Sequence, residues 1–411
     1  LGENKGLPKA DQWRRWVNIQ VTVLWAVWRD EEDKIRTEAP EVPHNAKMKP
    51  TFTRNLLKIY QLFQYASLAE RILAAKSISM EEVQHGHRYL RWCCEEMVRL
   101  GIHMVPNFHF AMHYPQFFEL FGPVYAWWLF AHERFNGELE QVNLNGHADG
   151  EMELTLMRNW IAKQCIFGML VSLPPNATAE ERELLERVRI QKGAPRGTLR
   201  TQIAAFAQGT STVITPKRVK KPTNLRKLPH STLYGLLLEY TRAAFPELDI
   251  GNDMSCSPHD AILVADRSAK LLPFICKDGL RFGSAADSRT QADSYACVDF
   301  PEGRLPCHIL YHFELQIKGK APFLVSIVQR MTADDDIPVF PWSLRSTDLG
   351  IYVAYAQRYR EMEVIATARL SATVAIVPII SHRLGPAKPL WVVHSFDRVR
   401  TYIEYTDYTA L

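Results

Sequence analysis

The chain has 411 residues, of which 47% are hydrophobic and 23% charged, with a formal net charge of +4. That length predicts more than one domain, and the apolar share supports a sizeable core and excludes wholesale disorder. The seven cysteines are odd in number, scattered and free of any CxxC pair, which excludes a zinc knuckle or a disulfide framework, and no apolar run is long enough to span a bilayer.

The first 170 residues read as helical. Within 54–76, Leu57, Tyr60, Phe63, Leu68 and Ile72 recur near helical spacing. Ser79-Met80-Glu81-Glu82 is a capping box, so a helix should open there, run to Leu100 and stop at Gly101. Pro106 and Pro115 bracket a short helix carrying His109 and His113. Two imidazoles four apart can grip a metal, but no HExxH glutamate accompanies them, and helix-face histidines bonded to neighbours are the more ordinary reading. A further helix, Val124 to Val142, sets an apolar stripe of Trp127, Ala131, Phe135, Leu139 and Val142 against a polar cluster of Glu133, Asn136, Gly137 and Glu140. A solvated acidic face with Glu133 paired to Arg134 satisfies this pattern, as does a carboxylate aimed inward. Gly137, which costs a helix about 1 kcal/mol against Ala, hints at a close approach to the backbone.

Thr178-Ala179-Glu180-Glu181 repeats the capping box and starts a short charged helix. Between Arg187 and Leu238 stand eleven Lys and Arg and no Asp or Glu, interrupted by prolines. Within it "TPKRVKKPTNLRKLP" (215–229) reads as an exposed linker, and the whole stretch is the one candidate for an anionic partner, with Lys217, Arg218, Lys220, Lys221, Arg226 and Lys227 as its nucleic-acid-binding residues. Beyond it the period changes from 3.6 to 2. In 308–318 Ile309, Tyr311, Phe313, Leu315 and Ile317 alternate with mostly polar groups, and "GKAP" turns the chain into "FLVSIVQR", a hairpin. "EVIATARLSATVAIVPII" and "LWVVHSF" supply more strands. "ADDDIP" reads as a loop, because three consecutive aspartates cannot converge on one ion. The fold class expected is α+β and multidomain: a helical region over 1–170, a short helix and basic linker over 171–258, and a β-rich sandwich or small barrel over 259–411.

The run "NFHFAMHYPQFFELFGPVYAWWLFAHERFNGELEQVNLNGHADGEMELTLMRNW" (107–160) resembles transposases of the CACTA (En/Spm) class of fungal mobile elements. The shared features are Asn-x-His-x-x-x-His, Phe-Gly-Pro, the Trp-rich stretch with Glu-Arg-Phe-Asn-Gly, and a following Asn-Gly-His. The likeness extends to "KADQWRRW" and "LWAVWRDEEDKI" upstream, and to "KDGLRFGS" and "LWVVHSFDR" downstream. It implies an RNase H-like catalytic core with a helical insertion, and an Asp-Asp-Glu triad holding two Mg²⁺ or Mn²⁺ ions that clamp the attacking and leaving oxygens. It assigns the catalytic, metal-binding glutamate to Glu133, with His109, His113, Arg134 and Asn136 in support. It further implies a nuclear protein with DNA as partner, allows a homo-oligomer, and leaves no role for a membrane or a small-molecule substrate.

The family's two aspartates lie before the point corresponding to "KADQWRRW", and Asp11, Asp30 and Asp33 do not match their motifs. A lone glutamate cannot hold two metal ions. The expectation is therefore a cut-and-paste transposase fragment that does not cleave alone and binds no metal tightly. Two other readings stand beside it: a non-catalytic DNA- or chromatin-binding module, and a protein-interaction scaffold.

Overall fold

A computed structural model describes residues 10–42, 44–46, 49–75, 77–127, 151–171, 176–183, 213–216, 221–278, 280–334 and 336–396. Its first part is helical, with α1 (Ala10–Trp28), α2 (Leu56–Leu73) and α3 (Met80–Leu100) packed in succession. Asn55 caps α2 by accepting from the Lys58 amide at 3.0 Å. Ser79 and Glu82 form both bonds of the capping box that opens α3, and Gly101 ends it in the left-handed conformation at φ 74°. Gly86 lets α3 lie on α2, since a Cβ there would fall 2.8 Å from Ile72 Cγ2. Two short helices follow, α4 (Pro106–Ala111) and α5 (Tyr114–Phe121), each with a proline in its first turn. A longer helix, α6, covers Glu151–Val171. The second capping box also forms, Thr178 accepting from the Glu181 amide at 3.2 Å.

The later part is built on an antiparallel sheet curled into a half-barrel. Its strands are β4 (Ala269–Leu272), β7 (Tyr295–Phe300), β8 (Gly303–Leu315), β9 (Phe323–Met331), β10 (Ile351–Tyr355), β11 (Tyr359–Ala366), β12 (Leu370–Ile379) and β13 (Leu390–Ser395), in the order β10-β13-β12-β7-β8-β9-β11 with β4 also on β8. The hairpin read from the sequence is β8–β9, in register from Leu315 opposite Phe323. A small sheet of β1 (Val213–Ile214), β5 (Phe274–Lys277) and β6 (Leu280–Gly283) and a parallel pair, β2 (Ile250–Asn252) with β3 (Ala261–Leu263), complete the strands among the described residues.

Alternation along β8 is less clean than its sequence suggests. Ile309, Tyr311, Phe313 and Leu315 are buried, and so are Leu310 and His312 between them. A register shift between Ile309 and Tyr311 turns the strand, so Ile309 packs in one core while Leu310 and Tyr311 face another. The second core is closed by a helix, α7 (Leu233–Ala244), through Leu233, Leu237 and Leu238. Leu225, 1% exposed, joins it, and its amide bonds the Ala265 carbonyl at 2.8 Å. The run 215–229, read from the sequence as exposed linker, is thus anchored on the strands at Leu225, while Lys221, Arg226 and Lys227 beside it stay exposed.

Helices and sheet meet in one continuous core. Val21 and Trp25 of α1, with Tyr60, Leu68 and Ile72 of α2, pack against Phe340, Trp342, Ile351, Tyr355, Leu390 and Val392. Trp25 stands edge-on to Phe340 and Trp342, at 5.1 and 5.3 Å between centroids. Each large side chain buried there contributes about 1.5–3 kcal/mol, so this contact ties α1 and α2 to β10 and β13. Polar anchors fix its geometry. Arg71 donates to Asn18 Oδ1 (3.2 Å), to the Asp348 carbonyl (3.1 Å) and to the Ser395 carbonyl (2.7 Å). Thr22 meets buried His394 Nε2 at 3.0 Å.

Candidate functional site

The described start of the 107–160 run, residues 107–127, packs on α3 through α5. Its His109 and His113 rings stand 5.2 Å apart and nearly perpendicular. They do not share one helix: α4 ends at Ala111, and His113 precedes α5, where its Nδ1 lies 2.9 Å from Gln116 Oε1. Between them lies Met112, whose backbone neighbours His87 of α3, and burial pushes the pKa of that imidazole down. His87 was not legible as a partner of this motif, because its lone position on α3 gives no spacing signal.

The Phe-Gly-Pro element is a folded corner. Gly122, at φ 75°, ends α5, and Pro123 leads into a 3-10 turn over Val124–Ala126. Trp127 closes the corner by donating from Nε1 to the Gly122 carbonyl at 3.1 Å, with Tyr114, Phe117 and Phe118 edge-on around its ring. The α-helix expected from Val124 therefore does not begin there: Val124–Ala126 is 3-10 and Trp127 sits at φ −132°. Glu133, Arg134 and Asn136 lie outside the described residues.

The early aspartates have structural tasks. Asp30 accepts from the Glu32 and Lys34 amides, both at 2.9 Å, and the Lys34 bond leads the effects that hold its carboxyl below the usual range. Asp33, at φ 63°, binds Arg29 at 2.7 Å and the Ser381 hydroxyl at 2.5 Å. Burial opposes its ionisation, but those bonds and the Arg29 charge outweigh burial and keep its pKa low. Both carboxylates tie the loop after α1, and Asp33 ties it to the loop after β12. Asp336 of the "ADDDIP" loop is held by Lys388 at 2.6 Å and by the Tyr355 hydroxyl. Among the described residues, no group of three or more His, Cys, Asp or Glu is arranged to hold a metal ion.

Of the basic residues singled out, Lys217, Arg218 and Lys220 lie outside the described residues. Lys221 and Lys227 are exposed. Arg226 is exposed as well, and its guanidinium grips Asp253 through both carboxylate oxygens and covers the Tyr234 ring at 4.7 Å. On the sheet, Tyr295, Val374, Ile376 and Trp391 line an open cavity of about 300 Å³. Behind it the rings of Tyr295, His308 and Tyr359 stack in series at 4.6 and 5.2 Å.

No family model, curated protein or solved structure matches this chain. No helix among the described residues is long and apolar enough to cross a membrane.

Proposed function

We propose that this chain is the DNA-holding portion of a transposase-like protein, contributing the glutamate of a two-metal site and a basic surface, and that it does not cleave DNA without two further carboxylates. The observation that carries this reading is the folded corner from Pro106 to Trp127. The histidines, Phe-Gly-Pro and first tryptophan of the motif form one packed unit on α3, and that unit leads directly into the segment bearing Glu133. Asp30 and Asp33 support the second half of the proposal, since their oxygens are spent on backbone amides, Arg29 and Ser381. In the assembled enzyme Glu133 would share Mg²⁺ or Mn²⁺ with two aspartates, and the metals would activate the attacking water or hydroxyl and stabilise the leaving oxygen. His109 and His113 would support that carboxylate or a phosphate from one side. Lys221 and Lys227, with Lys217, Arg218 and Lys220, would hold DNA by phosphate contacts that position without reading sequence.

The test is a nicking and strand-transfer assay on supercoiled DNA with Mg²⁺ and with Mn²⁺. The proposal expects DNA retention without cleavage. Metal-dependent nicking that disappears in Glu133→Gln would contradict it, by showing that this chain completes a metal site from its own residues.

A further inference from the structure

The loop joining the parallel strands β2 and β3 holds an arrangement unrelated to the motif above. Ser255 Oγ lies 2.7 Å from His259 Nε2, and His259 Nδ1 lies 2.8 Å from Asp249 Oδ2. An ionised carboxylate only accepts hydrogen bonds, so Nδ1 carries the proton toward Asp249. Nε2 of the neutral ring is then left to accept the Ser255 hydroxyl proton. That is the order of roles in a serine nucleophile, base and orienting acid, recognised by geometry whatever the fold.

The arrangement is held from several sides. Asp249 is fixed by its amide bond to Asp260 Oδ2 at 3.0 Å, and its carbonyl accepts from the Asp260 amide at 3.0 Å. Asn252 turns the chain, its side chain accepting from the Met254 amide and its carbonyl from the Ser255 amide. Asp253 is pinned by Arg226, by the Ala265 amide at 3.1 Å and by the Tyr234 hydroxyl, which accepts its amide at 3.0 Å. The His259 ring lies directly on Gly251, where a Cβ would fall 2.2 Å from its Cδ2, so only glycine leaves room for the imidazole. Fixing nucleophile and base before substrate arrives is the condition under which such groups catalyse. Ser255 itself is partly accessible, and Met254, Cys256, Ser257 and Pro258 around it are exposed.

We propose that Ser255, His259 and Asp249 form an esterase-like acyl-transfer site acting on small, activated carboxylic esters. Ser255 Oγ bonds to the carbonyl carbon as its proton passes to His259 Nε2. The carbon–oxygen bond to the alcohol breaks, and His259 returns the proton to the leaving oxygen. Water then adds to the acyl group, giving its proton to His259, and the acyl–Oγ bond breaks as His259 returns that proton to Oγ, releasing the acid and restoring Ser255. The Cys256 amide, following the nucleophile, occupies the position from which such sites draw an oxyanion donor. The described residues around Ser255 are exposed, which favours short acyl groups. This site does not depend on the transposase reading.

The experiment treats the full chain with a fluorophosphonate probe and, separately, with p-nitrophenyl acetate. Peptide mapping should place the adduct on Ser255. Ser255→Ala should abolish labelling and lower ester hydrolysis about 10²-fold, the lower range for a positioned general base. His259→Gln should do the same, with an unchanged far-UV spectrum. Should that variant lose its fold, Ser255→Ala, which deletes one partly exposed hydroxyl, still decides. Absence of an adduct, an adduct elsewhere, hydrolysis unchanged in Ser255→Ala, or labelling retained in folded His259→Gln would each overturn the proposal and leave these bonds as a loop lock.

Discussion

Replacing Arg71 by Met tests whether helices and sheet stand or fall together. The guanidinium makes bonds of 3.1, 3.2 and 2.7 Å to Asp348, Asn18 and Ser395, and a fourth of 3.3 Å to the Ser395 hydroxyl. Its Nη2 lies against Gly350, where even a Cβ would come within 2.2 Å of it. Hydrogen bonds from a charged donor are each worth about 1.5–3 kcal/mol, but they are not additive, and removing a half-buried cation recovers part of its desolvation cost. The expected net loss is about 2–4 kcal/mol. Urea unfolding would be followed by far-UV circular dichroism for the helices and by tryptophan fluorescence, since Trp25 and Trp342 report the joint core. Both signals should shift to lower urea together in Arg71→Met, and Arg71→Lys should recover less than half, because a point donor cannot reach all three elements. A loss below about 1 kcal/mol, or two separated transitions in the parent protein, would refute the idea that the junction makes one cooperative body.

Acid should destabilise the protein through two buried imidazoles. Burial pushes the pKa of His312 down to about 4, and burial with the nearby Arg71 charge does the same for His394, against an ordinary value of 6.5. Their folded-state values lie below the unfolded ones, so their contribution is fully present above pH 6.5 and is lost as pH falls toward 4, on the order of 3 kcal/mol for each. Urea midpoints measured from pH 7 to pH 4.5 should fall accordingly, and His312→Gln should flatten the dependence; a flat profile in the parent contradicts the burial argument. Thiol titration should distinguish exposed from buried cysteines: Cys165 and Cys256 are exposed, whereas burial drives the Cys93, Cys297 and Cys307 thiols up to about 12. Native protein should therefore yield two fast-reacting thiols and unfolded protein all seven.

What was legible in the sequence follows from what is local. The capping boxes at Ser79 and Thr178 and the glycine stop at Gly101 are decided by residues within four positions, and all three form as read. The β8–β9 hairpin announces itself through the period-two apolar pattern of its sequence and its turn. Long-range partners leave no such trace. Nothing near Trp25 in sequence points to Phe340 and Trp342, and nothing near Leu225 shows that its basic, proline-flanked neighbourhood packs under α7. Arg226 looked like any other cation in a basic run, yet Asp253, twenty-seven positions on, claims it. The Ser255–His259 step of four was there to be seen, but Asp249 joins only through the pairing of β2 with β3, which places residue 249 beside residue 260.

Whether this chain holds DNA through its basic segment is tested most directly by one binding measurement. Duplex DNA retention would be measured at about 50 and 200 mM salt for the parent and for a variant with Lys217, Arg218, Lys220 and Lys221 all changed to Glu. Each phosphate contact contributes a log–log salt slope of about −0.9, so losing four should flatten the slope by up to about 3.6 and weaken binding to unrelated sequences alike. Binding by the reversed variant that matches the parent in affinity and slope would contradict the claim.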